Sequence, residues 1–210
     1  MIKIRTEDTF HYRQHREMAH GLFSGVPSKE SSIVSARRKS SVVAIPAFRR
    51  ESRTGSITQI QNSELYLKEA LTEAQTSLTE GGIPIGCILV RQGQIAGRGR
   101  NRRMQRNSAI LHAEMDCLEA VGRQPASFYR DCTLYTTSSP SAMSAGAIRF
   151  YGIPRVVIGE NKNFHGDEAL LRASNIQVDV FDSTECRQLL ENFIRENPVV
   201  WNENIAHTTH

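Results

Sequence analysis

The chain is poor in the features that would anchor it in a membrane or staple it covalently. No apolar run approaches the roughly 20 residues that a membrane-spanning helix needs, which excludes a helical span. Cysteine is sparse, with Cys87, Cys117, Cys132 and Cys186 scattered and in no paired spacing. That pattern excludes a disulfide framework and suits a reducing compartment, with the thiols packed as small apolar groups. The first residues lack an apolar stretch and carry Glu7, Asp8 and Glu17. No secretory signal is therefore expected, and the expected compartment is the cytoplasm or nucleus.

Positive charge is missing where a nucleic-acid-binding domain would need it. The formal net charge is +4, but residues 1–56 alone hold eleven Lys/Arg against five acids. The remainder is mildly acidic, with 15 basic and 17 acidic residues. A domain of that balance cannot hold phosphates, so nucleic acid is not an expected partner.

Residues 24–56 are rich in Ser and Arg, and no amphipathic period there survives more than one turn. Such a segment buries too little apolar surface to offset its chain entropy. Residues 1–57 are expected to be a disordered basic tail, residues 58–206 a folded domain, and residues 207–210 a short end. Ser40 and Ser52 each follow a basic cluster that suits basophilic kinases, although a solvated linker is the favoured reading.

Within the domain, Leu67, Leu71, Ala74 and Leu78 mark one face of a helix, with Ser63 expected as its N-cap and Gly81-Gly82 as its end. Ile85–Val90 and Gln94–Gly99 flank a glycine turn and predict a β-hairpin. A helix is expected over Leu111–Val121, a strand over Cys132–Thr137, and a helix of small residues over Ser141–Phe150. Strands at Arg155–Gly159 and Ile176–Phe181 bracket a short helix at Asp167–Ala173. Asp182-Ser183-Thr184-Glu185 resembles a capping box that opens a last helix to about Asn197. Strands alternating with helices after an opening hairpin predict an α/β domain of three layers around a mixed sheet.

The chemistry is expected where two helix starts converge. His112-Ala113-Glu114 opens one helix, and Pro140-Ser141-Ala142-Met143-Ser144 opens the next but one. The order matches zinc-dependent nucleobase deaminases, whose signature is H-x-E followed by P-C-x-x-C. Further pieces are GGIPIG (81–86), GRGRN (97–101), TLYTTSSP (133–140), GAIRFYGIPRVVIGEN (146–161), NF (163–164) and WNENI (201–205). From Leu67 to Ile205 the chain resembles the fungal-type cytosine deaminases of the cytidine and deoxycytidylate deaminase superfamily.

That resemblance implies an α/β/α fold with about five strands, a homodimer, and a pocket for a nucleobase or related heterocycle. It implies that His112 is the nitrogen ligand of a zinc ion and Glu114 the catalytic proton shuttle. Asn101 would hydrogen-bond the pyrimidine edge, Phe164 and Trp201 would wall the ring, and a C-terminal helix would form a lid. Ser139 would meet the substrate through its backbone, and Asn204 stands near the exocyclic amine.

Two departures mark the chain. Ser141 and Ser144 occupy the positions of the two cysteine ligands, and Asn204 stands where an acid is expected. A serine hydroxyl is a far weaker acid than a thiol and a hard neutral donor, so His112 with two alcohols is not a recognised zinc set. Zinc at full occupancy is therefore not expected. Ser141 and Ser144 suit the first turn of a helix and are expected to cap it. Asp116, four residues beyond His112, is the one substitute ligand that shares its expected helix face.

Three readings follow. The first is a lapsed deaminase, a pseudoenzyme that keeps its nucleobase pocket and acts as a binding or scaffold protein. The second is an active hydrolase or deaminase that uses a non-standard metal set or metal-free chemistry at His112, Glu114, Ser141 and Ser144. The third is a family enzyme in which both ligand cysteines have been exchanged for serine.

Overall fold

The computed structural model describes residues 55–206, with side chains from residue 62. The expected tail falls almost wholly outside the described residues, as do residues 207–210. The elements in chain order are α1 (Gly55–Thr79), β1 (Gly86–Arg91), β2 (Gln94–Arg100), α2 (Arg103–Arg106), α3 (Ala113–Val121), α4 (Ala126–Arg130), β3 (Cys132–Ser138), α5 (Ala142–Tyr151), β4 (Arg155–Glu160), α6 (Glu168–Ala173), β5 (Gln177–Val180), α7 (Thr184–Glu196) and α8 (Pro198–Asn204).

The five strands form one mixed sheet in the order β2-β1-β3-β4-β5. β1 pairs antiparallel with both β2 and β3, whereas β3, β4 and β5 run parallel. The hairpin turn is Gln92-Gly93, with φ of 51° and 76°. Two positive φ values in a two-residue loop make the type I′ geometry that matches strand twist, and glycine takes the second position without steric cost.

Alternation along the strands sends side chains into two helical layers. Ile88 and Val90 of β1, Tyr135 of β3 and Val157 of β4 pack with Leu67 and Ala70 of α1. On the opposite face, Cys87 and Leu89, Leu134, Val156 and Ile158 pack with Ala113 and Cys117 of α3 and Ala145 and Ile148 of α5. These larger aliphatic side chains are fully buried, and each is worth about 1.5–3 kcal/mol over exposure. All four cysteines are buried and unpaired, so they serve as core residues. Burial pushes the thiols of Cys132 and Cys186 up to about 11.

Four expectations need correction. Ser63 does not cap α1, because the helix already runs from Gly55. No Gly or Pro interrupts residues 56–62, so nothing stops the helix at Ser63. Ser63 is instead buried, and its Oγ accepts from Arg155 Nη2 at 3.3 Å. The helix expected from Leu111 starts at Ala113, which leaves His112 outside it as the N-cap. The two short helices α2 and α4 have no counterpart in the sequence reading, being too brief to show a period. Asp167, expected as the first residue of its helix, is instead its cap and accepts from Leu170 N, whereas Ser141 Oγ accepts from Ser144 N as expected and Ser183 of the Asp182–Glu185 run accepts from Cys186 N.

Candidate functional site

The site lies at the C-terminal ends of the parallel strands, where open α/β sheets commonly place ligands. The N-termini of α3 and α5 meet there, as expected from the two motifs. One wall comes from the end of β2. Asn101 follows that strand and is fixed on three sides. Its backbone N–H donates to Ile85 O at 2.9 Å, its carbonyl accepts from Ser77 Oγ at 2.7 Å, and its side-chain oxygen accepts from Arg103 N at 3.2 Å. No part of Asn101 reaches solvent.

β2 can lie this close to α3 because Gly99 has no side chain. A Cβ there would meet Cys117 N at 2.2 Å and Ala113 O at 2.6 Å. Asp116 of α3 then ties the strand end down. It accepts from Arg100 N at 3.0 Å and sits 3.1 Å from Arg102 Nε. This corrects its reading as a substitute ligand. The helical-wheel argument treated His112 as helical, but its backbone is extended, with φ −64° and ψ 163°. Cys117 lies against Gly97 and Gly99 of β2.

His112, Glu114, Ser141 and Ser144 form one hydrogen-bonded cluster. Ser141 Oγ lies 3.3 Å from His112 Nδ1 and 3.4 Å from Ser144 Oγ. Ser144 Oγ donates to Glu114 Oε2 at 2.9 Å. Thr136 Oγ1 donates to the other carboxylate oxygen of Glu114. Glu114 and Ser144 are buried. Burial holds the His112 imidazole below its usual range, with Glu114 pulling the other way and Arg103 adding to the lowering. Neutral imidazole is thereby favoured at the centre of the cluster.

These donors do not fit zinc. They comprise one imidazole and two neutral alcohols, and the alcohols are engaged with one another and with Glu114. Zinc sites are built from Cys, His and carboxylates. Among the described residues, no group of three or more His, Cys, Asp or Glu side chains could hold a metal ion.

Beside the cluster lies a small pocket, open to solvent, with a cavity volume of about 20 Å³. Asn101, His112, Glu114, Ser139, Ser141, Phe164, Trp201 and Asn204 all line it. Ser144 is the one expected site residue not on its lining; it reaches the cluster through Glu114. The rings of Phe164 and Trp201 meet edge to face, with centroids 6.1 Å apart and planes at 86°. Ser139 Oγ is taken up by the fold, donating to Glu168 Oε1 at 3.0 Å and accepting from Gly166 N at 3.1 Å. Across the pocket floor, Asn101 Nδ2 donates to Asn204 Oδ1 at 2.9 Å. Trp201 and Asn204 come from α8, which starts at Pro198 after the cap residue Asn197.

The sequence reading missed Thr136 and Ser138. Both lie on the face of β3 that looks towards α3 and α5, two and four residues beyond the core residue Leu134. The period of two within TLYTTSSP carries that information.

Residues 60–160 match the family described as the cytidine and deoxycytidylate deaminase zinc-binding region. The chain is 50% identical over 141 residues to a cytosine deaminase of Candida albicans, spanning 67% of this chain and 94% of that protein. It is 33% identical over 147 residues to a tRNA-specific adenosine deaminase of Streptococcus pyogenes, spanning 65% of this chain and 92% of that protein. Among solved structures, a mutant of NE0047 in complex with 8-azaguanine superposes with a TM-score of 0.58 at 18% identity, covering 73% of this chain and all of the other. That likeness bears on the fold.

Proposed function

Since the chain belongs to the cytidine and deoxycytidylate deaminase family, we propose that it is a cytosine-deaminase-like protein that keeps a nucleobase pocket and has lost zinc-dependent hydrolytic deamination. The observation that carries this reading is the cluster at the helix starts. Where two thiolates would be needed, Ser141 caps α5 and Ser144 donates to Glu114. Each alcohol has a structural task, and neither supplies charge to a cation. The pocket supports binding, with amides at Asn101 and Asn204 for a base edge, and Phe164 and Trp201 for its ring. The Ser139 backbone lines it, and Glu114 stands at the position of the proton shuttle. As a binding or scaffold protein it would act in the cytoplasm or nucleus.

The test is metal content and turnover together. Protein purified without chelators is expected to carry well under one zinc per chain and to leave cytosine unchanged in a spectrophotometric assay. Cytosine or uracil should still perturb the fluorescence of Trp201. One zinc per chain with turnover would overturn the reading.

A second reading rests on the 3.3 Å approach of Ser141 Oγ to His112 Nδ1, which is within reach of an activated nucleophile. If the wild type hydrolyses a heterocycle and Ser141→Ala abolishes this without lowering Tm, the serine is functional and the first reading falls.

The homodimer implied by the resemblance is proposed to form through the outer face of α5. Phe150 there is 83% exposed, and space around Gly146 is open. Sedimentation at micromolar concentration is expected to give a dimer, and Phe150→Asp a monomer with unchanged circular dichroism. A monomeric wild type would reject this interface.

A further inference from the structure

We infer that the pocket presents a hydrogen-bond donor at Asn204, so that it takes an oxo-substituted heterocycle in preference to the amino-substituted counterpart. The inference rests on the nucleobase-pocket reading above and names its ligand class.

The argument follows the direction of each hydrogen bond, starting from a group that cannot reverse. Arg103 N is a backbone N–H and can only donate. It donates to the side chain of Asn101 at 3.2 Å, so the atom facing it must be Oδ1. The other end of that amide is then Nδ2, and it too can only donate. It faces Asn204 at 2.9 Å, so Asn204 must answer with its own Oδ1. One backbone proton thus settles the orientation of both amides, and the remaining end of Asn204 is an NH2 group.

That NH2 group makes no hydrogen bond to any described residue. Asn204 is 7% exposed and lines the pocket, while Nδ2 is absent from the sealed, unpartnered atoms of the described residues. Its open side is the pocket. A ligand carbonyl there accepts a proton and completes the relay. A ligand amine there sets donor against donor, and a buried donor left without an acceptor weakens binding about tenfold.

Residue 204 therefore sets the polarity of this edge. An aspartate would accept from Asn101 with one oxygen and turn the other to the pocket, which reverses the preference. Asn101→Asp should do the same without touching residue 204. Its carboxylate cannot donate, so Asn204 would turn its NH2 towards it and show Oδ1 to the ligand.

The experiment is calorimetric titration of the full chain with pyrimidin-4-one and with 4-aminopyrimidine, which carry one exocyclic group each. The wild type is expected to bind pyrimidin-4-one about tenfold more tightly. Asn204→Asp and Asn101→Asp should each shift that ratio towards 4-aminopyrimidine by tenfold or more. Because the two bases also differ at a ring nitrogen, the shift on substitution, rather than the wild-type ratio alone, assigns the effect to this edge. Equal or tighter 4-aminopyrimidine binding by the wild type would overturn the inference and leave the pocket reading intact. So would an unchanged ratio in Asn101→Asp, provided its Tm shows it folded. Should Asn204→Asp fail to fold, the wild type and Asn101→Asp still decide. Binding of neither base up to millimolar concentration would remove the pocket reading, and the inference with it.

Discussion

Changing Ser141 and Ser144 together to cysteine is expected to yield a protein that loads about one zinc per chain. His112 with two thiolates at the starts of α3 and α5 supplies the nitrogen and sulfur donors that zinc prefers. A metal held only by the folded state at a thousandfold excess over its Kd adds about 4 kcal/mol. For a domain of this size that raises Tm by about 10 °C. Either single substitution should give much less, because one imidazole and one thiolate do not complete a tetrahedral set. Cytosine deamination should then appear in the double variant, and Glu114→Gln should lower it at least about 100-fold by removing the group that carries the proton. If zinc loads and turnover does not, adding Asn204→Asp tests the second departure. A double variant that stays metal-free would show that the backbone at the two helix starts no longer fits the ion.

Gly99→Ala is expected to be strongly damaging for a single added methyl group. The added carbon collides with backbone atoms of α3 at 2.2 and 2.6 Å, and backbone cannot rotate away as a side chain can. Overpacking a well-packed core costs typically about 1–3 kcal/mol, and this contact belongs at the upper end. Chemical denaturation should report the loss, and base binding should weaken as well, because α3 carries His112 and Glu114 while β2 leads to Asn101. Stability within about 0.5 kcal/mol of the wild type would show that strand and helix can separate without disturbing the pocket.

Much of this architecture can be read from the residues. The strands show as apolar runs or alternation, and the hairpin as a glycine turn. Ser141 and Ser183 stand where their caps are found. Local rules fail where long-range packing decides. Ser63 has every local qualification for a cap, yet the helix continues through it and its hydroxyl serves Arg155, 92 residues away. Asp116 has the right spacing for a ligand of a helical His112, but His112 is not helical, and the carboxylate holds the end of β2. The glycine of GRGRN stands in the motif without its reason, which emerges only when α3 is laid across it. The bond between Asn101 and Asn204 joins the residue after β2 to the last residue of α8, and no periodicity connects them.

That last bond spans 103 residues of chain. β3 pairs with β1, bringing Thr136 beside Cys87. The pocket therefore closes only once both ends of that span have been made. A nascent chain can complete the hairpin early, and can add α3 and β3 as they emerge. Until α8 arrives, Asn101 holds a buried amide whose Nδ2 has no acceptor, and Phe164 has no ring to meet. Contacts of such sequence separation slow folding, because loop closure precedes any reward from them. The site is thus complete only when the whole span from β2 to α8 has been made, and a domain lacking α8 presents the sheet without it.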